Sequence, residues 1–284
     1  MPVLDSLTYL ISAIFLWCIG GTWNASSMDL ATNQCQENSW DVLRTMTLEG
    51  LNFLKSSPCG AFIFLKTSGA VIYGACDVLN VSFSEADYSR YSIANMTAGE
   101  KLGILFTSTG AGCIVGPVIA DRLTRMDVPA SLQKACICGL AIASSGCIGM
   151  SFTLPFPFVC LFTAVRSAGD SINWVDSSLL IQKFSPTDML GRVTAVELAM
   201  AYLSEALAAC FCGLLMDQLE LSAHDSSFVL GSIGAFVFGF WLVFHLLRLG
   251  ANRPGDKRAT ACEQIPTVIA LSTEETHLLH KVSS

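Results

Sequence analysis

The chain has 284 residues, of which 52% are hydrophobic and only 14% are charged, and its formal net charge is −7. Soluble domains carry charge at about a quarter of their positions, so this composition argues against a soluble enzyme and indicates a membrane protein. The one short basic group is Arg253, Lys257 and Arg258, and nucleic acid is therefore not an expected partner.

Seven apolar runs follow one another along the chain. Each is close to the length of about 20 residues that crosses the roughly 30 Å hydrocarbon layer of a bilayer. Proline and serine residues mark the joints between them, as expected where helices start and stop. The predicted fold is an all-α membrane protein with about seven transmembrane helices. The runs are Val3–Ile19, Cys59–Val81, Leu102–Ala120, Ala130–Met150, Phe156–Ile181, Val193–Leu215 and Phe228–Leu247.

Lysine and arginine are concentrated in every second connection between these runs, which sets the expected orientation because cytoplasmic loops are enriched in both residues. The predicted organisation is a first transmembrane helix at 1–20, a cytoplasmic linker loop at 21–57, a six-helix transmembrane bundle at 58–249 and a disordered cytoplasmic tail at 250–284. A cleaved signal peptide is the alternative for the first run. Against it, Met1–Leu4 has no basic residue and Asp5 stands where a positive charge is usual.

The 12 cysteines are scattered, and most of them lie within apolar runs, where cysteine acts as a small hydrophobic residue. The pairs Cys136/Cys138 and Cys210/Cys212 lack the second Cys or His pair of a zinc site. No metal and no other cofactor is therefore expected.

Three of the runs carry a polar stripe. Residues three or four positions apart share one face of a helix, and ionisable residues inside a membrane are costly unless they face a cavity or a partner. The stripes are Lys66, Ala70, Tyr73 and Asp77; Arg166, Asp170, Asn173 and Ser177; and Glu197, Ala201, Ser204, Glu205, Ala208 and Cys212. The predicted path for solute and protons comprises Lys66, Tyr73, Asp77, Arg166, Asp170, Asn173, Glu197 and Glu205.

A purely structural role remains open for several of these residues. Arg166 and Asp170 are four positions apart and can neutralise each other on one helix. Lys66 and Asp77 can reach opposite membrane interfaces with their side chains. Glu205 differs because it lies in the middle of a run with no basic residue within one turn. It is the predicted proton-coupling residue, and its small neighbours Ala201 and Ala208 are expected to leave room beside it.

Glycines dominate the third run. Gly112 and Gly116 have the spacing that allows two membrane helices to approach closely. Helix packing is the predicted role of these glycines.

Two segments resemble the major facilitator superfamily of transporters. Gly116–Arg125 (GPVIADRLTR) is similar to the cytoplasmic Asp-Arg signature of that family. Ser185–Val193 (SPTDMLGRV), followed by an apolar helix ending in Gly213–Asp217, resembles the joint before the penultimate helix of its drug and siderophore exporters. The resemblance covers about Val3–Leu247 and implies helices six to twelve of a twelve-helix fold.

The resemblance implies proton-coupled efflux of a small solute by alternating access, with Asp121, Arg122 and Arg125 as a conformational latch. Pro117 and Thr124 stand where the family has glycine. In the family the substrate path lies between two halves, so the expected partners are membrane lipid, a small-molecule solute, and a second transporter half or the missing N-terminal helices.

A seven-helix receptor and an inactive truncated transporter fragment are the alternative functions. No Asp-Arg-Tyr or Asn-Pro-x-x-Tyr sequence of a receptor occurs. No phosphate-binding loop occurs either, and the four histidines lie at or beyond the ends of the runs. The expectation is an integral, multi-pass membrane protein that is not an enzyme.

The charge asymmetry predicts the accessibility of two loops. A membrane-impermeant thiol reagent should label a cysteine introduced at Ser89 from outside intact cells, and one introduced at Thr124 only after permeabilisation. Equal labelling of both positions from one side would contradict the predicted orientation.

Overall fold

The computed structural model of the protein describes residues 39–86, 88, 96–187 and 189–251. The predicted first span at Val3–Ile19 and residues 252–284 of the predicted tail lie outside these ranges. Within them all regular secondary structure is helical. The helices are α1 (Ser39–Ser56), α2 (Cys59–Gly74), α3 (Cys76–Glu85), α4 (Ala98–Leu123), α5 (Pro129–Met150), α6 (Phe156–Phe184), α7 (Leu190–Gln218) and α8 (Ala223–Ala251).

In the part of the chain that the structure describes, five helical segments are long and apolar enough to cross a membrane, and they coincide with five of the predicted runs. α6 coincides with the fifth run and is as long as these segments, but it is more polar because it carries Arg166, Asp170 and Asp176. An all-α, multi-pass integral membrane protein is the class that these helices indicate. The five segments are Cys59–Glu85, Ala98–Leu123, Pro129–Met150, Leu190–Gln218 and Ala223–Leu247.

Part of the predicted linker loop is helical. α1 occupies Ser39–Ser56, within the segment 21–57 that the sequence predicts to be a loop. This helix is amphipathic, and it packs against the start of α7. Glu49 forms an ion pair with Arg192, and Gly50 approaches Arg192 and Val196. The contact with α7 holds this part of the connection against the bundle.

α6 lies at the centre of the bundle. It packs against α4, α5 and α2, while α8 covers α5, and α7 lies against α2. Small residues allow these close approaches. A Cβ atom at Gly112 or Gly116 would collide with the main chain of α6 at Ala164 or Ala168, respectively. The packing role predicted for these two glycines is therefore confirmed.

The span that begins at Cys59 consists of two helices, because α2 ends at Gly74 and α3 begins at Cys76. At the junction Gly74 lies against the main chain of Glu205 in α7, so closely that a side chain there would collide with it. The N–H of Ala75 bonds to the carbonyl of Tyr73 and leaves the regular helical pattern. The break thus lies beside the predicted proton-coupling residue.

Contacts between connections identify the two ends of the bundle. At one end, which we call the basic end, Lys183 donates to the carbonyl of Met126 beside the α4–α5 connection. At the other, the acidic end, Lys101 donates to the carbonyl of Ala86 at 2.9 Å. Lys55, Arg122, Arg125, Lys134, Lys183 and Arg192 lie towards the basic end, and Glu85, Glu100, Asp217, Glu220 and Asp225 towards the acidic end. The loop charges used to predict orientation are thus sorted between two ends.

The contact between α4 and α6 predicts unequal effects of two similar substitutions. Gly116→Val should lower the free energy of unfolding in detergent micelles by about 1–3 kcal/mol, because an added side chain overpacks the interface. Gly110→Val is the matched control, since no atom lies within 4 Å of a Cβ at Gly110. Equal unfolding free energies for the two variants would show that α4 does not pack closely on α6.

Candidate functional site

A cavity of about 460 Å³ lies between α2, α4, α6 and α7. α4 and α7 make few contacts with each other, so a gap remains between them while α2 and α6 form its floor. Most ligand pockets in proteins have volumes of about 300–1,000 Å³, and this cavity falls in that range. Its lining residues are Lys66, Gly69, Ala70, Tyr73, Cys113, Pro117, Asp170, Ser171, Asn173, Trp174, Val175, Tyr202 and Glu205.

The cavity lies deep within the helices. With a rise of about 1.5 Å per residue, Lys66 lies about 10 Å from the start of α2, and Glu205 about 22 Å from the start of α7. The lining therefore extends from two turns above the basic end to the middle of the bundle. This is the depth at which ionisable side chains are most costly in a membrane.

The structure brings together most of the predicted path. Lys66, Tyr73, Asp170, Asn173 and Glu205 all line the cavity. The predicted stripes on three separate helices thus converge on one space. The remaining path residues, Glu197, Arg166 and Asp77, do not line it.

Lys66 and Glu197 form a buried ion pair across α2 and α7, and their side chains are only 3% and 4% exposed. The ammonium group also donates to Ser178 Oγ at 2.7 Å, and it lies 3.8 Å from the centre of the Trp174 ring. Ser178 Oγ is 3.2 Å from the same Glu197 oxygen. These four side chains close the cavity towards the basic end.

Asp170 is buried on the floor of the cavity, and neither of its carboxylate oxygens has a hydrogen-bond partner within the described ranges. The ion pair expected between Asp170 and Arg166 is not formed. Instead the guanidinium group donates to Asn80 Oδ1 at 3.4 Å and approaches Met150 Sδ at 3.8 Å. The side chains share a helix face, and the charge of Arg166 acts on Asp170, but the guanidinium group is fully buried and makes its hydrogen bonds with α3 and α5.

Asp77 lies on α3, beyond the break at Ala75, and its side chain is exposed. The regular stripe predicted from Lys66 to Asp77 assumes one straight helix. Because the helix is interrupted, the stripe ends at Tyr73, and Asp77 is outside the cavity lining.

Glu205 is half-buried at the edge of the cavity, next to Tyr202. The expected free space beside Ala201 and Ala208 is absent, since both residues are buried, at 0% and 5% exposure. They lie on the face of α7 that packs on α2. The room around Glu205 is therefore on the opposite side, towards Tyr202 and the gap that separates α7 from α4.

The predicted latch residues Asp121, Arg122 and Arg125 lie at the basic end of α4 and are exposed. None of them forms an ion pair with another residue in the described ranges. The negative charge of Asp121 acts on the buried carboxyl group of Asp176 in α6. The latch remains a prediction from the resemblance.

Several contributors were not predicted. Trp174, Ser178 and Tyr202 contact or line the site, and Asp176 is a second buried carboxylate on α6, whose Oδ2 atom has no hydrogen-bond partner among the residues described. Trp174 and Ser178 continue the spacing of the Asp170 stripe by steps of four residues, a signal that was available in the sequence. Tyr202 lies three residues before Glu205. It lines the cavity only because α4 and α7 are apart, and the sequence gives no sign of that gap.

Among the residues described, no group of three or more His, Cys, Asp or Glu side chains is arranged to hold a metal ion. The cavity instead combines aromatic rings, buried carboxylates and one neutralised lysine. Comparisons with family models, with curated proteins and with solved structures found no match to the chain.

The buried ion pair predicts a non-additive effect on stability. Lys66→Met should lower the free energy of unfolding by about 3–5 kcal/mol, because Glu197 is left buried without its cation. The double variant Lys66→Met/Glu197→Gln should lose less than the single variant. Both are measured by unfolding in detergent micelles.

The control is the half-exposed pair of Arg192 and Glu49. Arg192→Met should cost about 1 kcal/mol or less, as do most exposed ion pairs. Additive losses for Lys66 and Glu197 would mean that the two side chains do not interact.

Proposed function

We propose that the protein is a secondary transporter that moves a small solute across the membrane by alternating access, with proton-coupled efflux as its mode. The observation that carries this proposal is the cavity at mid-bundle depth, into which α6 exposes the buried, unpaired carboxylate of Asp170. Leaving such a group in a membrane without a partner costs several kcal/mol. A buried carboxylate that is costly to the fold is expected to have a functional role. A cavity of this size beside it favours solute binding as that role.

The break between α2 and α3 supplies an element that can move. Gly74 and Glu205 are in main-chain contact at this break, and Tyr73, one residue earlier, lines the cavity. A helix interrupted beside a binding site can change direction there without breaking regular hydrogen bonds elsewhere. In our proposal, bending at Ala75 couples occupancy of the cavity to the position of α3 at the acidic end.

The Lys66–Glu197 pair acts in our proposal as the closure at the basic end. Solute leaving towards that end must pass the side chains of Lys66, Glu197, Ser178 and Trp174, which contact one another. Separation of α2 and α7 opens this route. The cost of exposing two buried charges then limits how often it opens in the absence of solute.

Alternating access also needs a wall on the open side of the cavity, between α4 and α7. We propose that a second helix bundle supplies it, either as further helices of a longer chain or as another chain, in keeping with the resemblance to the major facilitator superfamily. Gly103 and Gly110 on α4 and Gly213 on α7 have open space where a Cβ would stand. Small exposed residues are the ones that membrane helices use to pack together.

Glu205 is the proposed proton-coupling residue because it lies at the rim of the cavity, half-buried, in the middle of α7. A proton carried there neutralises the carboxylate and changes the net charge of the cavity. Solute and proton can then compete for the same space, which is the simplest physical basis for exchange of one for the other.

Glu205→Gln should preserve expression and should abolish accumulation driven by a pH gradient. Gln keeps the shape and hydrogen bonding of Glu but cannot carry the proton. The measurement uses everted membrane vesicles in which the full chain is assembled with the second helix bundle. A panel of labelled cationic, neutral and anionic solutes is tested, and a pH-sensitive acridine dye reports proton movement.

Asp217→Asn is the control, since Asp217 is an exposed carboxylate on the same helix outside the cavity. It should leave both signals unchanged. Wild-type, pH-dependent transport in Glu205→Gln would remove Glu205 from the coupling mechanism, and no transport of any solute by the unmodified protein would refute the proposed function.

A further inference from the structure

We infer that the ligand of the cavity is an organic cation, held by the carboxylates of Asp170 and Glu205 between the rings of Tyr73 and Tyr202. As a statement about the transported solute this rests on the proposed function. As a statement about binding it stands on the charges and contacts of the cavity itself.

Among the described residues that line the cavity, Lys66 is the one with a basic side chain. The N–H groups of its ammonium already have acceptors within the protein. A lysine ammonium group has three N–H donors. Here Glu197 and Ser178 accept from it, and the face of Trp174 takes up the remaining side of the charge at 3.8 Å from the ring centre. An anionic ligand would have to displace Glu197, which would then be a buried charge without a partner.

The guanidinium group of Arg166 does not line the cavity either. Its side chain is fully buried and is absent from the lining, and its guanidinium group faces Asn80 and Met150. Lys66 is thus neutralised by its own contacts, and the charge of Arg166 acts on Asp170 only from outside the cavity lining. The charges left facing the cavity are two carboxylates.

Asp170 is the group that points to a ligand. Its side chain lines the cavity, its residue is only 7% exposed, and both carboxylate oxygens lack a hydrogen-bond partner among the residues described. A buried, unpaired carboxylate in a low-dielectric site attracts a cation strongly. A neutral ligand would leave this carboxylate without a cation in contact with it, so the structure favours a ligand with a fixed positive charge.

The aromatic residues fit the organic part of such a ligand. Tyr73 on α2 and Tyr202 on α7 remain 39% and 58% exposed, and both line the cavity. Aromatic faces within about 6 Å attract ammonium and pyridinium groups. A metal cation would gain little from these rings, whereas an aromatic or alkylated ammonium ion contacts both the rings and the carboxylates.

The test is equilibrium binding to the full chain in lipid nanodiscs. Three probes of similar shape are compared: N-methyl-4-phenylpyridinium, which carries a fixed positive charge; 4-phenylpyridine, which is uncharged at mildly alkaline pH; and 4-phenylbenzoate, which is an anion. We expect the cation to bind at least about tenfold more tightly than either analogue, in line with one or two charge contacts in a desolvated site. This comparison uses the unmodified protein and needs no variant.

Two variants assign the effect to the cavity. Asp170→Asn and Glu205→Gln should each weaken binding of the pyridinium ion by about tenfold and change binding of 4-phenylpyridine by less than about twofold. Asp217→Asn, with its carboxylate on α7 outside the cavity, should change neither. Equal affinity for the three probes, tighter binding of the anion, or an unchanged cation affinity in both cavity variants would overturn the inference.

The outcomes separate this inference from the proposed function. Binding of the pyridinium ion without accumulation of any solute in vesicles would support the cation site and refute transport. Accumulation of an anionic or neutral solute, with no binding of the pyridinium ion, would support transport and refute the cation site.

Discussion

The cost of placing charged side chains in hydrocarbon governs this structure. α6 carries an arginine and two aspartates along one membrane-length helix, and a helix of this composition cannot face lipid. It therefore occupies the centre, where α2, α4 and α5 surround it. The more apolar α4, α7 and α8 keep large apolar side chains exposed on the outside of the bundle. The position of α6 in turn fixes which helices border the cavity.

Once α6 is central, close helix contacts depend on small residues. Gly112 and Gly116 bring α4 onto α6, and Gly74 brings α2 onto α7. These contacts leave α4 and α7 apart, because each is drawn to a different neighbour. The cavity is the space that results, and the polar groups on its floor come from the helix that could not face the lipid. The shape of the cavity and its polar lining therefore both follow from the central position of α6.

The Lys66–Glu197 pair shows how packing determines whether a charged side chain contributes its charge to the cavity. Each residue taken alone could have reached the basic interface with its side chain. In the bundle they meet across α2 and α7, so the lysine adds no free positive charge to the cavity. The charge balance then depends on Asp170 and Glu205. It is this balance, together with Tyr73 and Tyr202, that distinguishes a cation from other solutes in the binding we propose.

The sequence by itself determined the helices and the residue faces, because both follow from local rules of length and periodicity. Five of the predicted spans, the polar stripes and the packing glycines Gly112 and Gly116 were predictable in this way. The tertiary structure alone decided which polar groups meet. It paired Lys66 with Glu197 instead of Arg166 with Asp170, interrupted the stripe before Asp77, and turned Ala201 and Ala208 into packing residues. Side-chain direction, helix breaks and contacts across 131 residues of chain depend on how neighbouring helices pack, and no local pattern encodes them.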